Sequence, residues 1–115
     1  MKNHLIYALV DPDNLHVRYV GRTSQTAASR LRHHLSAAKR GHTAALYAWI
    51  RSISPRVPLL IVLQELENYR VRLGEGRYES SVAACETKWM KRFERSRLFN
   101  RIQRGSHVYK RLVNS

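Results

Sequence analysis

Hydrophobic positions change period along this chain, and each change marks an element. Residues 5–10 are apolar except for the amphipathic Tyr7, and in 16–20 apolar residues alternate with His16 and Arg18. The DPDN cluster at 11–14 supplies turn chemistry between them, so the two runs predict a β-hairpin. Tyr7 and Tyr19 then sit on neighbouring antiparallel strands and share a face where the register allows it. Gly21 and Thr23-Ser24 are expected to break the second strand and to offer caps for a helix. From there the spacing becomes helical. Ala27, Leu31, Leu35 and Ala38 predict a helix over 26–40 that Gly41 ends. Leu46, Trp49, Ile50 and Ile53 predict a second helix, with Thr43 as cap and Ser54-Pro55 as stop. The branched run 59–63 behind Pro58 predicts a buried third strand. Gly74 and Gly76 among charges make 67–77 read as a loop. Ser80 or Ser81 is expected to cap a third helix, with Val82, Cys85, Trp89 and Phe93 towards a core and Glu86 near that face. Residues 101–115 are basic with Val108, Tyr109, Leu112 and Val113 interspersed, and read as a short helix or docked tail.

A chain of 115 residues, 43% hydrophobic, has room for one compact domain with a modest core. We therefore expect a single domain over 1–102, with 103–115 as its basic tail. The longest strongly apolar run, 57–63, is far shorter than the roughly 20 residues that span a bilayer. The N-terminus lacks a signal-peptide pattern, so a cytoplasmic location is expected. One cysteine excludes an intramolecular disulfide, and Cys85 beside Val82 and Trp89 fits a small buried hydrophobe.

Charge narrows the partner. Twenty-one Lys and Arg against 8 Asp and Glu leave a formal +13, which calls for a polyanion. The cations are spread over the chain rather than along one helix, so nucleic acid fits better than a membrane surface. A ribosomal or nucleoid protein is the plainest form of that reading.

Against this background six polar residues stand out in order. Tyr7 and Tyr19 have an ordinary use as strand residues with wet hydroxyls, but two phenols on one face can also orient or deprotonate a water. A phenol with a pKa near 10 needs adjacent positive charge to act as a base near neutrality, and Arg30 can supply it or bind a phosphate as a fork. Arg30 and His34 are four apart and project from one helix face. His33 and His34 do not make a zinc site, because adjacent helical residues point about 100° apart and no Cys or Glu stands at a metal-site spacing. Glu86 is a carboxylate between apolar positions in an acid-poor chain. A salt bridge to Lys88, Lys91 or Arg92 is its bland account, and a single divalent cation is the sharper one. Asn100 suits a turn, or the ordering of a phosphate.

Taken together, these residues resemble the GIY-YIG nuclease family. Leu5-Ile6-Tyr7 matches the first signature with Leu5 in place of glycine, and Tyr19-Val20-Gly21 matches the second. Arg30, His34, Glu86 and Asn100 follow in the family's order, and the likeness covers roughly residues 4 to 102. The resemblance implies an α+β fold, a small three-stranded antiparallel sheet flanked by helices. It implies metal-dependent hydrolysis of a phosphodiester, with DNA as the first substrate and RNA as the alternative. Glu86 would bind one Mg2+, or Mn2+ in its place, and Arg30 would stabilise developing charge. Tyr7 would activate water, Tyr19 and His34 would position it or relay protons, and Asn100 would order the phosphate. Arg22, Arg32, Arg101, Arg104, Lys110 and Arg111 are the expected backbone contacts. Cutting both strands needs a homodimer or two successive events. A binding module that keeps only the basic surface is the alternative, and Glu86 argues against it because a carboxylate opposes anion binding.

Overall fold

A computed structural model of the chain describes residues 4–66 and 75–100, with the backbone alone for 75–81. In chain order the elements are β1 (His4–Val10), β2 (Val17–Thr23), α1 (Ala27–Lys39), α2 (Ala45–Ile53), β3 (Leu59–Leu66) and α3 (Glu75–Met90), followed by a 3-10 turn at Arg95–Arg97. The three strands form one antiparallel sheet in the order β2-β1-β3. The α+β architecture with a three-stranded sheet and three helices is as expected.

The central strand explains its own composition. Every residue of β1 except Leu5 is buried, because both faces are covered and both edges are paired. Alternation along it divides the core in two. Ile6 joins Val20, Leu66, Val82 and Met90 on the α3 side, while Tyr7 and Leu9 join Ala38, Leu46 and Ile50 under α1 and α2. Two side chains build the hairpin loop. Asp11 Oδ1 accepts from Asp13 N at 2.8 Å and Asn14 Oδ1 from His16 N at 2.9 Å. The register pairs Tyr7 with Gly21 and Leu9 with Tyr19, so both tyrosines face α1 and α2.

Several boundaries differ from the sequence reading. β2 does not stop at Gly21. It continues to Thr23, because Gly21, Arg22 and Thr23 each have a partner in β1, and ladder pairing outweighs the local preference of glycine. The cap of α1 is Thr26, whose hydroxyl accepts from Ser29 N at 3.1 Å, and Gly41 ends the helix in the left-handed region at φ +85°. Thr43 does not cap α2. Ala44 holds the N-cap position, and its N–H donates to His42 Nδ1 at 3.2 Å. Arg51 Nη1 donates to the carbonyls of Ala38 and His42 at 2.9 and 3.0 Å, which ties α2 to the end of α1.

The third strand is not a buried one. Among the described residues β3 is an edge, paired with β1 alone, and Leu59, Ile61 and Val62 are 43%, 46% and 46% exposed. An apolar run has the same pattern whether a sheet continues past it or stops, so periodicity could not tell the two apart. α3 begins at Glu75, so 75–77 are helical rather than loop, and Ser80 and Ser81 lie inside the helix instead of capping it. The remainder of the expected loop, 67–74, and the expected tail, 103–115, lie outside the described residues. Trp89 Nε1 donates to Gln64 Oε1 at 2.8 Å and fixes α3 to β3. Phe93 follows the helix and packs, with half-buried Cys85, against the Ile6 and Val20 cluster. The chain then returns to β2, where Phe99 N donates to Arg18 O at 2.6 Å and the Arg18 guanidinium lies 4.4 Å over the Phe99 ring. Among the described residues no helix is long and apolar enough to cross a membrane.

Candidate active site

Tyr7 reaches its place because Gly21 has no side chain. A Cβ at Gly21 would lie 2.5 Å from the Tyr7 hydroxyl and 2.8 Å from the Tyr19 ring, closer than atoms tolerate. The glycine of the second signature is therefore the floor on which the tyrosine of the first one rests. Tyr7 itself is fully buried, and the Tyr19 ring centre is 6.2 Å from its own.

Two residues of α1 complete the buried wall. Arg30 Nε donates to the Tyr7 oxygen at 3.0 Å, and the same oxygen is 2.7 Å from His34 Nε2. Arginine offers only donors, so Tyr7 accepts there and keeps its own hydrogen available for Nε2. With Tyr7 donating, neutral His34 is the Nδ1–H tautomer, and Nδ1 lies 3.3 Å from the hydroxyl of Tyr47. His34 is 1% exposed, and burial first, then the charges of Arg30 and His33, lowers its pKa from 6.5 to about 4. It is a neutral imidazole at physiological pH. Burial, and then Tyr19, pushes the Tyr7 phenol well above its usual range, while Arg30 opposes the rise through its hydrogen bond and its charge. The Tyr19 phenol is raised by burial and then by Glu86, and Arg30 again opposes.

The opposite wall is open. Glu86 on α3 lines a cavity of about 480 Å3 together with Tyr19, His42, Tyr47, Phe99 and Asn100. Burial raises the Glu86 pKa, and the nearby charge of Arg22 opposes that rise. Arg22, not Lys88, Lys91 or Arg92, is thus the cation that Glu86 senses. Asn100 acts on the backbone: Nδ2 donates to Val20 O at 2.6 Å and Oδ1 accepts from Val20 N at 3.0 Å. One amide hydrogen and one lone pair remain for the cleft.

The fold thus joins Tyr7, Arg30 and His34 directly and lines the adjoining cavity with Tyr19, Glu86 and Asn100. Arg22 and Arg32 are exposed, whereas Arg101, Arg104, Lys110 and Arg111 lie outside the described residues. Tyr47 and His42 were not singled out in the sequence, although their rings sit 4.6 Å apart at the junction of the two walls. One signal was available. Tyr47 is three residues before Ile50, at the edge of the buried stripe of α2, where an amphipathic side chain faces a cleft.

The donor set fits a hard cation rather than zinc. Glu86 offers carboxylate oxygen and Asn100 a carbonyl oxygen, which suits an ion that keeps most of its water. No group of three or more His, Cys, Asp or Glu able to hold a metal occurs among the described residues. No curated protein and no solved structure matches the chain. A family model does: that of the GIY-YIG catalytic domain matches residues 3–100, nearly the whole chain, at whose two signatures Tyr7 rests on Gly21. The chain belongs to the GIY-YIG family of nucleases.

Proposed function

We propose that the protein is a divalent-metal-dependent endonuclease that hydrolyses phosphodiester bonds in DNA, with Tyr7, Tyr19, Arg30, His34, Glu86 and Asn100 as its site. The hydrogen-bonded chain from Arg30 through Tyr7 to His34, packed against Tyr19, whose cavity also holds the half-buried carboxylate of Glu86, carries this reading. A phenol whose pKa is raised by burial does not rest as phenolate, so Tyr7 works as a relay. Its oxygen takes the proton of the attacking water while its own proton passes to His34 Nε2, and Tyr7 stays neutral throughout. Arg30 lends positive charge to that oxygen and to the pentavalent phosphate that forms. Tyr19, in contact with His34 and near Glu86, positions the water between the walls. Glu86 would hold Mg2+, or Mn2+ in its place; such an ion neutralises the phosphate and the departing oxygen. Asn100 keeps the Tyr19 end of β2 in register through Val20 and orders the phosphate with its remaining amide hydrogen.

A module that only bound nucleic acid would gain nothing from Glu86. Supercoiled plasmid incubated with Mg2+ tests the proposal: the intact protein is expected to nick it and Glu86→Ala is not. Equal products from the two would end the reading. Replacing the plasmid by a structured RNA asks whether DNA is the preferred substrate, and sedimentation during turnover asks whether two copies act together.

A further inference from the structure

A second concavity, of about 330 Å3, opens on the other side of Tyr47; it shares Arg30 and His34 with the proposed mechanism, which leaves its His33, Ser36 and Arg40 unused. Arg30, His33, Ser36 and Arg40 line it over a floor of His34 and Tyr47. Positions 30, 33, 37 and 40 recur at helical spacing, so one face of α1 brings these groups together. His33 and Arg40 are exposed, and no Asp or Glu is among the described residues that line the space. Among those residues the Arg40 guanidinium has no carboxylate partner. Such a grouping repels itself unless an anion fills it. Two guanidinium groups with a hydroxyl donor are the donor types that bind a phosphate.

Its place says which phosphate. Tyr47 separates it from the Glu86 cavity, and Arg30 borders it while bonding Tyr7. We propose that this concavity is a subsite for a second backbone phosphate of the substrate strand, next to the one that is cut, held by Arg40, His33 and Ser36. The inference rests on the phosphodiesterase reading. It also couples binding to chemistry. An anion beside His33 and Arg30 offsets the two charges that, after burial, lower the basicity of His34, so an occupied subsite makes His34 a better acceptor of the Tyr7 proton.

Interference mapping tests this with duplexes that carry one neutral methylphosphonate at successive linkages. In the intact protein each neutral linkage is expected to suppress cutting at itself and at one neighbour. In Arg40→Ala the neighbour effect disappears and the self effect stays, with kcat/KM lowered roughly 10-fold. An unchanged interference pattern in Arg40→Ala overturns the subsite. A second arm needs no cleavage: fluorescence anisotropy of a labelled duplex in EDTA, read against salt. Arg40→Ala is expected to reduce the slope of log K against log salt by about 0.9, and Arg40→Glu to reduce it further. An unchanged slope in both variants also overturns the subsite. A reduced slope in a protein that never cuts leaves the subsite standing and removes the nuclease reading.

Discussion

The two walls of the cleft are built on opposite principles. The α1 side is buried and internally paired at its centre: Tyr7 and His34 are buried, and the Tyr7 oxygen and both His34 nitrogens have partners. The α3 side offers a half-buried carboxylate whose burial disfavours its charge, beside a cation that restores part of it. Folding alone pairs the buried groups of the first wall, whereas under the proposed function the second would be completed by a bound cation. The difference teaches where stability and activity part company. A group whose partners are all protein contributes to both, and a group that awaits an ion contributes to activity at some expense of stability.

Glu86→Gln sets the walls furthest apart. Turnover is expected to fall at least 10²–10³-fold, a loss in the range of about 10²–10³ seen for single electrostatic groups. The melting temperature should hold or rise, because a carboxyl whose folded pKa lies above its unfolded value lowers stability once ionised. A marked drop in melting temperature would show that Glu86 belongs to the internally paired wall after all. Arg30→Ala comes next, with kcat down about 10²-fold and DNA affinity changed much less. A large loss of affinity at unchanged turnover would move Arg30 from chemistry to binding.

Gly21→Ala attacks the buried wall through its floor. The added methyl meets the Tyr7 hydroxyl, so chemical denaturation should register a loss of about 1–3 kcal/mol, with Tyr7 displaced and activity lowered in parallel. Wild-type stability in that variant would mean that the tyrosine shifts at no cost. The smallest effect concerns pH. The folded-state pKa of His34 lies near 4, below the 6.5 of an unperturbed histidine. The unfolded chain therefore binds a proton that the folded one refuses, and stability falls as pH drops from about 6.5 towards 4. His34→Gln should flatten that part of the stability curve relative to wild type. The kcat/KM profile should likewise show no acid limb near 6.5, and a limb there that vanishes in His34→Gln would remove neutral His34 as the proton acceptor.

The grouping of the candidate site residues was more legible in the sequence than the boundaries of the elements around them. Tyr7, Tyr19, Arg30 and His34 fall within 28 residues on a hairpin and the next helix, where periods of 2 and 3.6 dictate which side chains share a face. Asn100 was found only as a late polar residue. Its grip on Val20 spans 80 residues, and no local pattern encodes a contact of that separation. Tyr47 was missed because an aromatic beside a buried stripe reads as packing until the histidine it touches is known. Thr43 failed as a cap because Ala44 took the position and His42 answered its N–H. The exposure of β3 was hidden for a related reason: composition records that a strand is apolar, and only topology says that no further described strand lies beside it.

That edge bears on how the protein behaves as a colloid. Among the described residues, Leu59, Ile61 and Val62 present a greasy ribbon beside an open backbone ladder, an arrangement that pairs with another copy unless something keeps copies apart. A chain with a formal charge of +13 has that safeguard in its own repulsion, which acts over about 10 Å at 0.1 M salt but only about 3 Å at 1 M. The concentrated brine that strips nucleic acid from so basic a surface therefore also disarms its protection against self-association. Dilute protein in high salt, and concentrated protein only once the salt has been lowered, is the order of handling that this edge strand dictates.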